Sequence, residues 1–179
     1  MWRHVAIFSS LLLSLSLFPT PTLAKETFYV AFTEAHQRPD VLLMQTIDRA
    51  KRSLDIAIYS ITNEDIVASI LKAKERGVKV RLITDASASH FAPQQRMLAL
   101  LLRAGIPIKE NRPKTGLMHL KLTIVDDQWV AWGSYNYSWS ASTINDEILT
   151  VLQDPLFAQQ CTHEFNRLWT STSFMAYHA

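Results

Sequence analysis

From residue 25 onward, stretches in which every second position is apolar take turns with stretches in which apolar positions recur every three or four residues. The first pattern predicts a half-buried strand and the second an amphipathic helix. Residues 27–33 (TFYVAFT) are β-branched and aromatic and predict a first strand. Leu43, Ile47 and Ala50 then fall on one face of a helix over 41–52. Residues 54–60 (LDIAIYS) predict a second strand, and 78–85 (VKVRLITD) a third that is apolar on both faces except at Lys79 and Arg81. Between these two, Thr62 or Asn63 stands where a helix cap is needed, Asp65 follows in the first turn, and Gly77 ends the helix. Pro93 opens another helix that runs to Arg103 and stops at Gly105, and 106–109 predict a short strand.

Up to this point strands and helices alternate, which implies a parallel sheet covered by helices. The pattern then changes. Residues 117–125, 129–132 and 147–152 predict strands, with no helix of comparable length between the first two. Asp126, Asp127 and Gln128 supply a hairpin turn there. Phe157, Cys161, Phe165 and Leu168 recur at helical spacing and put the one cysteine on the buried face of a C-terminal helix. The expected fold is one mixed α/β domain: a largely parallel sheet flanked by helices on both faces, with an antiparallel hairpin added to it.

The first 24 residues are a different kind of segment. A short N-terminal stretch with Arg3 precedes an apolar run over 5–18 broken only by serines, and Thr22-Leu23-Ala24 offers a small-residue cleavage site before Lys25. This is the layout of a secretory signal peptide, too short for a comfortable membrane span. The expectation is an exported protein, periplasmic or secreted, with residues 25–179 as a single domain and no stable membrane span after cleavage. Cys161 has no partner for an internal disulfide.

Charge adds little. The whole chain carries 18 basic and 16 acidic residues; the leader takes one arginine and no acid, so the remainder stands at +1. That excludes a general polycationic coat, and any polyanion binding must come from local clustering. Lys109, Arg112 and Lys114 are one such cluster, equally readable as a solvated loop, and Trp129, Trp132 and Tyr135 are either base-stacking or core aromatics.

Candidate chemistry concentrates in residues 118–136 (MHLKLTIVDDQWVAWGSYN). In a strand, His119 and Lys121 project to the same side, opposite Met118, Leu120, Leu122 and Ile124. An imidazole beside an ammonium suits an anionic substrate: the cation holds phosphate oxygens and disfavours a second positive charge, which keeps the imidazole neutral and nucleophilic. Gly133 precedes Ser134 and Asn136, two short hydrogen-bonding side chains suited to cradling phosphate oxygens.

The joint spacing of His119, Lys121, Asp126, Gly133, Ser134 and Asn136 resembles the H-x-K-x(4)-D and G-S-x-N signature of the phospholipase D superfamily. Asn145-Asp146-Glu147 resembles its N-x-E element, whose acid supports the histidine, although Ile148 follows where relatives often have a polar residue. Similarity extends upstream through Ala57–Thr62, Ala73–Val80 and Ala104–Pro107. The resemblance implies catalytic roles for His119, Lys121, Asp126, Ser134, Asn136 and Glu147, with Lys121, Ser134 and Asn136 also binding substrate. It implies a phosphohistidine intermediate that needs two histidines, one to attack phosphorus and one to protonate the leaving oxygen. With a single motif per chain, the second histidine must come from an identical partner in a two-fold homodimer. Small exported bacterial endonucleases of the superfamily are built that way. No metal or other cofactor is implied, since lysine and Ser/Asn donors supply charge compensation and no paired ligand spacing occurs.

The expected function is therefore an exported phosphodiesterase, a nonspecific DNA/RNA endonuclease. One alternative is a phospholipase D acting on phosphatidyl lipids, which needs an apolar acyl groove beside His119. The other is an inactive phosphate-binding module, which has no need of a nucleophile. Tyr59, Ser60, Thr62 and Asp85 fall near strand ends, where α/β sheets bind ligands, and are possible walls of the site.

Overall fold

A computed structural model describes residues 27–112 and 116–178. The expected leader lies outside them, as does Lys114. Eight strands form a single sheet: β1 (Thr27–Phe32), β2 (Ser53–Ile58), β3 (Lys79–Thr84), β4 (Ile108–Asn111), β5 (Lys121–Val125), β6 (Trp129–Gly133), β7 (Ile148–Gln153) and β8 (Phe174–Ala176). The helices are α1 (Pro39–Asp48), α2 (Glu64–Glu75), α3 (Ala86–Ser89), α4 (Ala92–Arg103), α5 (Trp139–Thr143) and α6 (Pro155–Thr170).

Helix starts follow local chemistry. Asn63, rather than Thr62, caps α2 by accepting from the amides of Asp65 and Ile66. Asp154 caps α6 in the same way, with Pro155 in the first turn, where its missing N–H costs nothing. The short α3, α5 and β8 are additions to the expected elements. The strand expected over 117–125 begins only at Lys121.

The sheet order is β1-β7-β6-β5-β2-β3-β4-β8. Mixed α/β architecture with helices on both faces is as expected, but "largely parallel" needs correction. Parallel pairing is confined to β2–β3 and β3–β4, and every other neighbouring pair is antiparallel. The reason is the path of the chain after β1. That strand lies at the far edge beside β7, and α1 carries the chain back across to β2 in the middle.

Each face has its own core. On one side α1, α2 and α4 cover Leu54, Ile56, Ile58, Val80, Leu82 and Val125. On the other, α6 packs Ala158 and Phe165 against Ala57, Ile83, Ile124 and Val130, with Cys161 half-buried among them. Burying each large aliphatic side chain contributes about 1.5–3 kcal/mol, so these two layers dominate the stability. The polar Arg81 lies on the α6 side. It makes two 2.7 Å bonds to the buried Asp55 carboxylate and stacks on Phe165, so its charge is matched.

Candidate active site at one end of the sheet

The ends of β1, β2, β3 and β6 and the starts of β5 and β7 meet at one edge of the sheet. There the chain places Thr33, Tyr59, Asp85, Ser134, His119, Lys121 and Glu147. His119 stands just ahead of β5, not within it, yet its ring meets Lys121 as the two-residue spacing predicts. Lys121 Nζ is 3.0 Å from His119 Nε2 and donates to the His119 carbonyl at 3.0 Å. An ammonium donating to Nε2 puts the ring's lone pair there and its hydrogen on Nδ1. His119 is exposed, whereas Lys121 is only 7% exposed. Burial pushes the Lys121 ammonium below its ordinary range, and the nearby Glu147 carboxylate partly opposes this.

Tyr59, at the end of β2, is the neighbour that spacing alone does not identify as a partner of the pair. Its ring centroid lies 4.7 Å from that of His119, tilted by 60°, and Lys121 Nζ sits 5.3 Å from it. The β2–β5 register explains the contact, because Ile58 pairs with Lys121 and the Tyr59 amide donates to the Leu120 carbonyl at 3.0 Å. Asp85 acts from the next strand. Its buried carboxylate accepts from the Met118 amide at 2.8 Å while capping α3, which fixes the backbone immediately before His119. Burial raises the Asp85 carboxyl, but the bonds from Ser87, Met118 and Ala88 outweigh it and leave the carboxyl below the usual range.

Glu147 is held by Ser134, whose hydroxyl donates to one carboxylate oxygen, and by Asn145, whose amide donates to the other at 3.3 Å. Among the described residues no hydrogen bond joins it to His119. Asn136 lies two residues beyond Ser134, and its Oδ1 is buried without a hydrogen-bond partner among the described residues. Gly133 serves packing more than flexibility. A Cβ there would overlap the Ile148 carbonyl oxygen, which accepts from the amides of both Ser134 and Tyr135. Because Ile148 contributes its backbone to these bonds, its apolar side chain is no obstacle to them.

Asp126 does not join the site. It sits at the opposite end of β5, roughly 20 Å from His119 at the rise of an extended chain. Its carboxylate accepts from the amides of Lys51, Arg52 and Ser53 at 2.8–2.9 Å. These bonds tie the β5–β6 turn to the start of β2, at the other end of the strand from the His119–Lys121 pair. Of the basic stretch before the motif, the two described members make backbone contacts with the C-terminal segment: Lys109 donates to the Trp169 carbonyl at 2.6 Å and Arg112 to that of Thr172 at 2.7 Å. Tyr135 is core, Trp129 stacks under Arg49, and Trp132 packs edge-on against Phe157, so base stacking is not their use. Among the described residues, no group of three or more His, Cys, Asp or Glu side chains is arranged to hold a metal, and no helix is long and apolar enough to cross a membrane.

The sequence profile described as cardiolipin synthase, PLD-like domain, matches residues 43–169, which is most of the chain and includes every residue of the His119–Glu147 constellation. The chain belongs to the phospholipase D superfamily. Within it, the chain is 35% identical over 120 residues to the mitochondrial cardiolipin hydrolase of Chlamydomonas reinhardtii, covering 67% of this chain and 52% of that one. The chain thus spans about half the length of the curated relatives it matches. Among solved structures, Nuc from Salmonella typhimurium, a phospholipase D family member, superposes with a TM-score of 0.80 at 26% identity, covering 87% of this chain and all of that one. NucT from Helicobacter pylori gives 0.74 at 27% identity, covering 86% of this chain and all of NucT.

Proposed function

We propose that the protein is a nonspecific DNA/RNA endonuclease that works as a homodimer, without a metal, through a phosphohistidine. The observation that carries this is the His119–Lys121 pair, which is fully formed but occurs once per chain. On this reading an arriving phosphodiester takes up the Lys121 ammonium and frees the Nε2 lone pair. Nε2 attacks phosphorus, the P–O bond to the leaving oxygen breaks, and His119 of a second copy gives that oxygen its proton. The same second imidazole then takes a proton from water, whose oxygen displaces Nε2 and restores His119. Lys121 and Asn136 hold the non-bridging oxygens, Ser134 keeps its one hydroxyl hydrogen on Glu147 and so positions that carboxylate, and Glu147 supports the charge that forms on the ring. The His119 side chain is exposed, which suits a polymeric substrate.

A second reading has its own support. An apolar-lined cavity of about 370 Å³ lies beside the motif, walled by Ala86, His90, Gly116 and Leu117. Leu117 and Leu120 flank His119 at 63% and 41% exposure. Such a cavity suits the acyl end of a phosphatidyl lipid. Incubating the protein in EDTA with single-stranded DNA, duplex DNA, RNA and phosphatidylcholine liposomes tests the choice. Cleavage of all three nucleic acids, abolished by His119→Ala, is expected; phosphatidate release without nucleic-acid cleavage overturns the nuclease reading in favour of the lipid one. Export is part of the proposal, and N-terminal sequencing of the protein recovered from the periplasm or the medium should start at Lys25.

A further inference from the structure

The strand at one edge of the sheet, β1, reaches the motif through its neighbour β7. Thr33 follows β1 directly, and its amide donates to the Glu147 carbonyl at 3.1 Å, continuing the β1–β7 ladder by one step. Its hydroxyl does more than a ladder requires. It accepts from the Glu147 amide at 2.8 Å and donates to the Asn145 carbonyl at 2.7 Å. One side chain therefore brackets residues 145–147 from both ends. The two ends matter because Asn145 and Glu147 touch through their side chains, the Asn145 amide donating to the Glu147 carboxylate.

We propose that Thr33 is a positioning residue for catalysis, its hydroxyl fixing the backbone from which Glu147 presents its carboxylate between Ser134 and Asn145. The proposal rests on the reading that Glu147 supports His119. Two properties of the contact set its strength. The hydroxyl uses both its donor and its acceptor capacity on backbone groups, so a β-branched replacement lacking oxygen takes the protein partner from one N–H and one C=O without creating space. A shift of about 1 Å in a supporting carboxylate is enough to cost on the order of a hundredfold in turnover. Serine keeps both bonds and loses only a methyl group. The hydroxyl is committed to backbone groups of residues 145 and 147 and not to substrate, so its loss should act on turnover and not on binding.

The test uses steady-state kinetics on bis(p-nitrophenyl) phosphate, a simple phosphodiester, with the full-length protein. Thr33→Val should lower kcat by about tenfold or more with KM within about twofold, and Thr33→Ser should stay within about threefold of wild type. The double variant Thr33→Val/Glu147→Gln should be no slower than Glu147→Gln alone, because both remove one device. Wild-type kcat for Thr33→Val, an equal loss in Thr33→Ser, or losses that multiply in the double variant would each overturn the proposal. If Thr33→Val fails to fold by circular dichroism, Thr33→Ala against Thr33→Ser makes the same comparison. A Glu147→Gln protein with undiminished kcat is a distinct result: it removes the role given to Glu147, and the inference falls with it.

Discussion

Tyr59 forms one wall of the His119–Lys121 pair, with its ring against the imidazole and near the ammonium. Its hydroxyl makes none of these contacts, so the ring is what matters. Tyr59→Phe should keep kcat within about threefold, whereas Tyr59→Ala should lower it by about tenfold or more as the imidazole gains freedom; stopped assays on one phosphodiester at fixed pH check this. Lys121 has to keep its proton to hold the phosphate oxygens. Burial lowers its pKa, so it gives up its proton at lower pH than a free lysine, and Glu147 holds it partly up. Glu147→Gln removes that support, so the alkaline limb of the rate profile should move to lower pH. A limb that moves upward would contradict the sign. Both of these residues illustrate what spacing can convey. His-x-Lys puts two side chains together with no knowledge of the fold, while the Tyr59 contact exists only because β2 lies beside β5.

Between the residue and the fold stand the turns, and two of them change the reading of the motif. Asp126, with φ +56°, gathers three backbone amides at the start of β2. Burial raises its carboxyl, but the amides of Ser53, Arg52 and Lys51 and the Arg52 charge outweigh this and keep it below the ordinary range. Asp126→Ala should cost about 1–3 kcal/mol, a Tm lower by roughly 3–10 °C, with kcat of the folded protein unchanged. The lowered pKa fixes the sign of the pH effect. The wild-type advantage is complete above the normal carboxylate range and disappears as pH falls through the folded value, so melting curves of the two proteins should converge in acid. Gly133→Ala should be worse, about 3 kcal/mol, since the new methyl meets β7 backbone that cannot step aside. An aspartate in a turn and a glycine before a serine were both visible in the sequence. Their jobs were not, because each depends on a strand distant along the chain, β2 for Asp126 and β7 for Gly133.

At the scale of the whole molecule, alternation of strands and helices correctly yields a mixed α/β domain covered on both faces, yet says nothing of strand order. Period two records which side a residue faces and is silent on which strand lies next to it. That is why β1 was expected among parallel neighbours and lies instead at the edge beside β7. The same edge placement brings Thr33 to Glu147. The proposed dimer belongs to this scale too. Activity should persist in EDTA. Unfolding and refolding wild type together with an equal amount of His119→Ala should lower total activity to about half that of the wild type alone, since mixed dimers then hold one imidazole each. Undiminished activity in the co-refolded mixture would mean that each chain works by itself.

The C-terminal end of the chain is fastened to the approach to the nucleophile. β8 pairs with β4, Lys109 bonds to Trp169, and Arg112 bonds to Thr172. Beyond β4, Asn111 holds the Gly116 carbonyl and Asp85 holds the Met118 amide, one residue before His119. Trimming the tail back to the end of α6 would therefore release the outer strand that steadies this approach. The resulting protein should keep its central layers and its melting cooperativity, and lose turnover first.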